Sequence, residues 1–402
     1  MVIKRIYITL TIGLALLLNL RCKEPYVLPS SSANLNILVV EGIINSGDQS
    51  TNIRLSRTVN LTDTVKSVPE LNAQVSVESD ASPNGSLVMA LTDQGGGNFT
   101  AFSGLNLDAN RKYRLRIVTS NNKNYVSDFV PVKNSPPIDS LGFEVKGDGV
   151  YVYSGTHDPN NNTRYYRWDY TETWIVHSKY PSDFEAITNP KDTIISRPTQ
   201  DQIYTCYTSD ASSTIVLNSS SKLSQDVITH NLMAIVPSNS EKIRNEYCIT
   251  VNQYALTEDA FNYWQNLKKN TEQLGSIFDA QPSQIKGNIH CVEKPDEVVL
   301  GFITAGAASQ KRLFVGNSSV PQGWLRTESL PYDDCHLDSL YFVDPKTKTD
   351  KTQILYPGGE IPIGAIVNGQ EVIIGYSASS TFCVDCRLRG TNIRPYFWID
   401  KF

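Results

Sequence analysis

Apolar and polar residues alternate along much of this chain with a period of two. At that spacing a strand turns one face into a core and the other toward solvent. In residues 52–57 (NIRLSR), Ile53 and Leu55 share one face while Arg54 and Ser56 oppose it. Residues 73–78 (AQVSVE) alternate in the same way. An apolar run over 36–41 reads as a strand that enters a turn at 42–48. Asn84-Gly85 marks a tight turn before the apolar residues 87–91, and the three glycines 95–97 break the chain before Phe99. Tyr113 heads another alternating stretch (YRLRI, 113–117) just after a polar turn, the position of the tyrosine corner in immunoglobulin-like sandwiches. Together these strands predict an immunoglobulin-like β-sandwich over residues 36–133.

Asn134-Ser-Pro-Pro-Ile138 is the predicted domain boundary, because paired prolines hold an extended crossing. Beyond it, strand-like runs cover 138–146, 149–154, 165–176, 297–303, 311–315, 339–342 and 371–376. Within them lies a single persuasive helix. Thr257 suits its N-cap, Glu258 and Asp259 place carboxylates at the positive helix end, and Gly275 suits a left-handed C-terminal cap. Phe261, Trp264, Leu267 and Leu274 recur at helical spacing, and Phe261 and Trp264 are expected to staple the helix to a sheet. The predicted fold class is therefore mainly β, with a second β-rich domain over 138–402 carrying a helical insertion near 257–274.

The longest strand, residues 165–176, puts Tyr166, Trp168, Tyr170 and Trp174 on one face. Such a face serves as a sandwich core, or as a candidate ligand surface on which a sugar ring or peptide stacks. Just before it, Asp158-x-Asn160-x-Asn162 has the oxygen spacing that opens a calcium loop. Thr163 stands where such a loop needs glycine and Asp169 where it needs glutamate, so the segment reads as an Asx-rich turn.

Composition agrees with a β-rich globular protein: tyrosine is abundant at 20 residues and methionine scarce at 3. The N-terminus adds an address. Lys4 and Arg5 precede an apolar run over 6–18, too short for a comfortable bilayer span, and Cys22 follows. That layout is an export signal over 1–21, with Cys22 as the expected lipidation site and 22–35, rich in serine and proline, as a tether. Arg21 departs from the small residue that lipoprotein processing usually takes before the cysteine. Removing 1–21 takes away Lys4, Arg5 and Arg21 and no acids, so the net charge moves from −5 to −8. A chain this acidic, without a basic block, gives no support to nucleic-acid binding.

The other six cysteines are Cys206, Cys248, Cys291, Cys335, Cys383 and Cys386. An even set in an exported chain reads first as disulfides, and sequence alone leaves the connectivity open. Cys383-Val-Asp-Cys386 has the form of a redox motif or half a metal site, but no βαβ pattern and no second such pair accompany it. Catalytic frames are absent: there is no GxSxG, HExxH, P-loop or GxGxxG. Asp333-Asp334 reads as a solvated turn rather than an acid/base pair. No cofactor, metal or catalytic residue is expected.

Several segments carry a resemblance: LNILVVEGIINSGDQSTNIRLSRT, DPNNNTRYYRWDYTETW, YCITVNQYALTEDAFNYWQNLKKNTEQLGSIFDAQPSQIKGNIH and CVDCRLRGTNIRPYFW. Across residues 36–400 the chain resembles the family catalogued as domain of unknown function 4249, exported lipoproteins of Bacteroidota. The resemblance implies an outer-membrane lipoprotein, anchored through Cys22 and facing the cell surface or the periplasm. It also implies a TonB-dependent transporter as partner, and supplies no activity. The leading expectation is a non-enzymatic accessory for ligand capture or transporter docking. The alternatives are a structural or adhesive surface module and a hydrolase of unfamiliar design.

Overall fold

The alternation of residues 52–57 and 73–78 becomes two facing sheets. The computed structural model describes residues 36–59, 67–102, 104–188, 191–272, 286–324, 331–356 and 359–399. The signal segment, Cys22, the tether, Leu274 and Gly275 lie outside the described residues. Among those described, the first sandwich has two six-stranded sheets. One contains Leu38–Gly42, Thr51–Arg57 and Asn98–Ala101; the other contains Gln74–Ser79, Lys112–Val118 and Asn124–Ser127. Ile53 and Leu55 meet Val75, Val77, Leu115 and Ile117 in one buried core. Tyr113 makes the expected corner: its hydroxyl accepts a 2.9 Å hydrogen bond from the Asp108 N–H.

The boundary at 134–138 needs one correction. The chain comes back to the first sandwich after the helix. Ile289–Cys291 pairs with Asn124–Ser127, Val299–Leu300 pairs in parallel with Leu38–Gly42, and Ala305–Gly306 pairs with Ile44–Asn45. The run read as a strand of the second domain over 297–303 thus belongs to the first. A parallel edge strand this short has no alternation to betray its partner.

Glu297 clamps the returning segment. It takes a 2.6 Å bond from Lys123 Nζ and another of 2.6 Å from the Tyr125 hydroxyl. Burial pushes its carboxyl up, but those two bonds outweigh burial and hold it below the usual range. Glu78 follows the same logic: burial raises it, and Arg116 and Arg114, at 2.5 and 2.7 Å, bring it down on balance. Both folded values lie below the unfolded ones, so this stabilisation is complete above about pH 4.3 and is lost as pH falls through the folded values. The denaturant midpoint is expected to stay level from about pH 7 to 5 and to fall toward pH 3. The Glu78→Gln/Glu297→Gln protein is expected to start lower and fall less. An equal acid-induced loss in both proteins would contradict the assignment.

The second sandwich packs Ile138–Lys146, Gly149–Asp158 and Asp226–Pro237 against a sheet containing Thr205–Ala211, Tyr165–His177, Glu246–Leu256 and Ser309–Gly316. Val150, Val152, Val236, Ile249, Val251 and Val315 fill the space between them, together with Tyr166 and Trp168. Gln253 lies at the base of this core. Its Oε1 accepts from Trp168 Nε1 at 3.0 Å and its Nε2 donates to Pro136 O at 2.9 Å, so the proline crossing is pinned to the second sheet.

A third unit, read from sequence only as part of the second domain, is built from Asp338–Tyr341, Ile373–Ser380 and Glu360–Val367, with the hairpin Phe184–Ile187/Thr193–Ser196 beside it. Its disulfides are Cys206–Cys386 and Cys335–Cys383. The expectation of six paired cysteines is corrected: Cys248 and Cys291 are buried and take part in neither bridge. They cannot join each other, because Cys248 packs by Phe314 and Trp398 while Cys291 lies in the first sandwich.

Candidate functional site

Alternation along Tyr165–His177 decides what the aromatic face can do. Tyr166 and Trp168 are 0% and 1% exposed, and Tyr170 and Trp174 pack half-buried against the same core. The Tyr166 hydroxyl donates to Asp226 at 2.5 Å, inside that core. The candidate ligand surface at Tyr166, Trp168, Tyr170 and Trp174 is therefore corrected to a core face, because a two-sheet sandwich needs this apolar area inside.

The residues between them point the other way. Arg167 and Asp169 stand on the outer face, with Tyr254 directly across from Arg167 and Asn252 across from Asp169. Over this face lies the helix Glu258–Glu272. Its N-cap forms as expected, with Thr257 Oγ1 accepting from the Ala260 N–H at 3.2 Å. Phe261 staples the helix to the sheet against Tyr165, with ring centroids 5.1 Å apart. Tyr263, Trp264 and Leu267, three and four residues apart, share one side of the helix.

Between this side, the outer sheet face and the first sandwich is a cleft of about 530 Å³. The first sandwich supplies Val39, Glu41, Asn45, Gln49 and Phe302. The volume falls in the range usual for small-ligand sites, and the lining has their usual makeup of apolar walls with a few convergent polar groups. Sequence reading did not find it. Its residues come from four separated stretches, and the available signal was a polar pair, Arg167 and Asp169, inside an aromatic strand.

Arg167 organises the cleft. Its guanidinium lies 4.5 Å from the Tyr254 ring centre and 4.3 Å from that of Trp264, and its Nη2 donates to Asp169 at 3.1 Å. Asp169 also accepts from Asn252 at 2.9 Å and from the Tyr254 hydroxyl at 3.3 Å. Burial first, and Asp169 next, push the Tyr254 phenol far above its ordinary value, so it stays protonated. Tyr263 is raised as well, mainly by burial. Among the described residues, no histidine, lysine or cysteine lines the cleft.

The other sequence candidates are occupied structurally. Asp158 accepts from the N–H groups of Asn160, Asn162 and Thr163 at 3.0, 2.8 and 2.9 Å, which is the Asx-rich turn. Cys383 and Cys386 bond to different partners, so the pair forms no bridge of its own. A smaller cavity of about 190 Å³ brings His177 near Glu241. There His177 meets Thr205 at 3.2 Å and stacks on Tyr204, while Glu241 is held by Arg389.

Fold and site together define a multi-unit β protein, braced by disulfides, with a ligand-sized cleft between its two sandwiches. The chain belongs to the family described as Domain of unknown function (DUF4249), whose model matches residues 23–312. The match contains every residue of the cleft and stops before the strands of the third unit. No curated protein matches the chain.

Proposed function

We propose that this protein is an exported lipoprotein that captures a small ligand in the cleft between its sandwiches and presents it to an outer-membrane transporter. The cleft carries the reading: four chain-distant stretches converge on one aromatic-lined space of ligand size. Its rim is rigid, because Arg167 is fixed by two rings and a carboxylate, so little ordering entropy is lost on binding. The lack of a histidine, lysine or cysteine among the described lining residues favours capture over catalysis. The two disulfides favour an oxidising compartment, in keeping with the signal segment and Cys22. The TonB-dependent transporter as partner rests on the family resemblance. Docking is further supported by Leu388, Ile393 and Tyr396, exposed apolar residues near the C-terminus.

The test is a deletion strain scored for uptake of candidate nutrients and complemented with the native chain or with Trp264→Ala. The native gene is expected to restore uptake and Trp264→Ala to leave most of it missing, with both proteins present at equal levels in the membrane. Full rescue by Trp264→Ala would sink the cleft as the functional site. Cys22→Ser is expected to release the protein from membranes, and continued membrane association would contradict the anchor.

A further inference from the structure

We infer that the ligand of this cleft is a neutral carbohydrate of one or two pyranose rings, an inference that rests on the capture reading above. Charge argues first. Among the described residues, Arg167 is the single cationic lining residue and is already paired with Asp169, which leaves Glu41 as one negative charge in excess. Glu41 has no ion pair among the described residues. An anionic ligand would meet this excess with no cation left to receive it. Polar groups argue second. Asn45, Gln49, Asn52, Glu41 and Asp169 give the cleft many amide and carboxylate atoms, which a purely apolar ligand would strip of water and leave unbonded.

The arrangement of the free groups points the same way. Among the described residues, Asn45 uses its Oδ1 to accept from the Gly47 N–H, while its Nδ2 and the Gln49 amide make no hydrogen bond within the chain. Among the described residues, Trp264 Nε1 likewise has no acceptor. The rings of Trp264, Tyr263 and Phe302 line the same cleft, Tyr263 lying 5.6 Å from Trp264 and 5.3 Å from Phe302. A pyranose matches that division. Its C–H face is apolar enough to lie on an aromatic ring, and its hydroxyls are paired donors and acceptors suited to amides and carboxylates.

The experiment is calorimetric titration of the disulfide-intact mature chain with a panel of neutral mono- and disaccharides, choline, octanoate and benzoate. At least one saccharide is expected to bind. Its affinity should fall at least tenfold in Trp264→Ala and severalfold in Gln49→Ala, an exposed position whose change leaves the fold intact. If choline, octanoate or benzoate binds with the same dependence on Trp264 and no saccharide does, the carbohydrate assignment is overturned while the cleft reading stands. If nothing binds, or binding is the same in both variants, both are overturned.

Discussion

Replacing Cys206 and Cys386 with alanine is expected to lower the stability of the third unit by about 3–5 kcal/mol. The bridge closes a loop with a sequence separation of 180, and a cross-link this long removes much chain entropy from the unfolded state. The inner bridge, Cys335–Cys383, spans only 48 and shortens the outer loop modestly. The outer bridge is also the covalent tie between units. It joins the strand Thr205–Ala211 of the second sandwich to the turn that follows Thr381–Val384. Both sulfurs are fully buried beside Val176, so reduction leaves a packing defect besides a longer chain. Several hydrogen bonds remain across the junction, among them Cys386 N–H to Ile203 O and Asn392 Nδ2 to Gln202 O, each 2.9 Å, and Lys179 N–H to Cys383 O, and such bonds are worth about 1 kcal/mol apiece. Calorimetry should show a separate transition for the third unit, lowered by roughly 10–20 °C, with the first sandwich unmoved. Proteolysis should then begin within residues 332–388. Unchanged melting and digestion would mean that noncovalent packing alone holds the unit in place.

Much of the fold was legible wherever one strand carried its own evidence. Thr51–Arg57 and Lys112–Val118 bury alternate residues because the sandwich has one wet face, and that is the period seen in the sequence. Tyr113 and Thr257 were legible for a similar reason, since a corner and an N-cap depend on neighbours within five residues. Longer-range features were hidden. Val299–Leu300 has two residues in its ladder and a partner more than two hundred positions away, so no local pattern could assign it. The cysteine pairing was hidden for the same reason, since connectivity depends on which loops meet. The aromatic strand shows the limit most clearly. Tyr166 and Trp168 drew attention because they are large, yet size takes such residues into the core. The cleft instead uses the polar residues in between, Arg167 and Asp169, whose role appears only once the helix and the first sandwich close over them.

That closure depends on backbone contact, which makes Gly301→Ala the sharpest test of how the cleft is built. Gly301 has φ +137°, a conformation L-residues rarely adopt, and a Cβ there would stand 2.2 Å from Val40 O. The contact is with backbone, so no side-chain rotation can relieve it. Leu300 just before it pairs with Val39, and Phe302 just after it lines the cleft. The helix touches the same segment through Tyr263, whose ring lies 5.3 Å from that of Phe302. One added methyl group therefore pushes apart the entering strand, the returning strand and the helix at one point. A loss of about 3 kcal/mol or more is expected, well beyond the usual effect of Gly→Ala. Ligand binding should fail even at temperatures where the first sandwich stays folded, because Ile289–Cys291 still pairs with Asn124–Ser127 at its far edge. Gly147→Ala is the matched control: a Cβ there meets nothing within 4 Å, and stability should stay within about 0.5 kcal/mol of the native chain. Equal behaviour of the two variants would show that the returning strand does not press on Val40, and the cleft would then lack the floor on which its geometry depends.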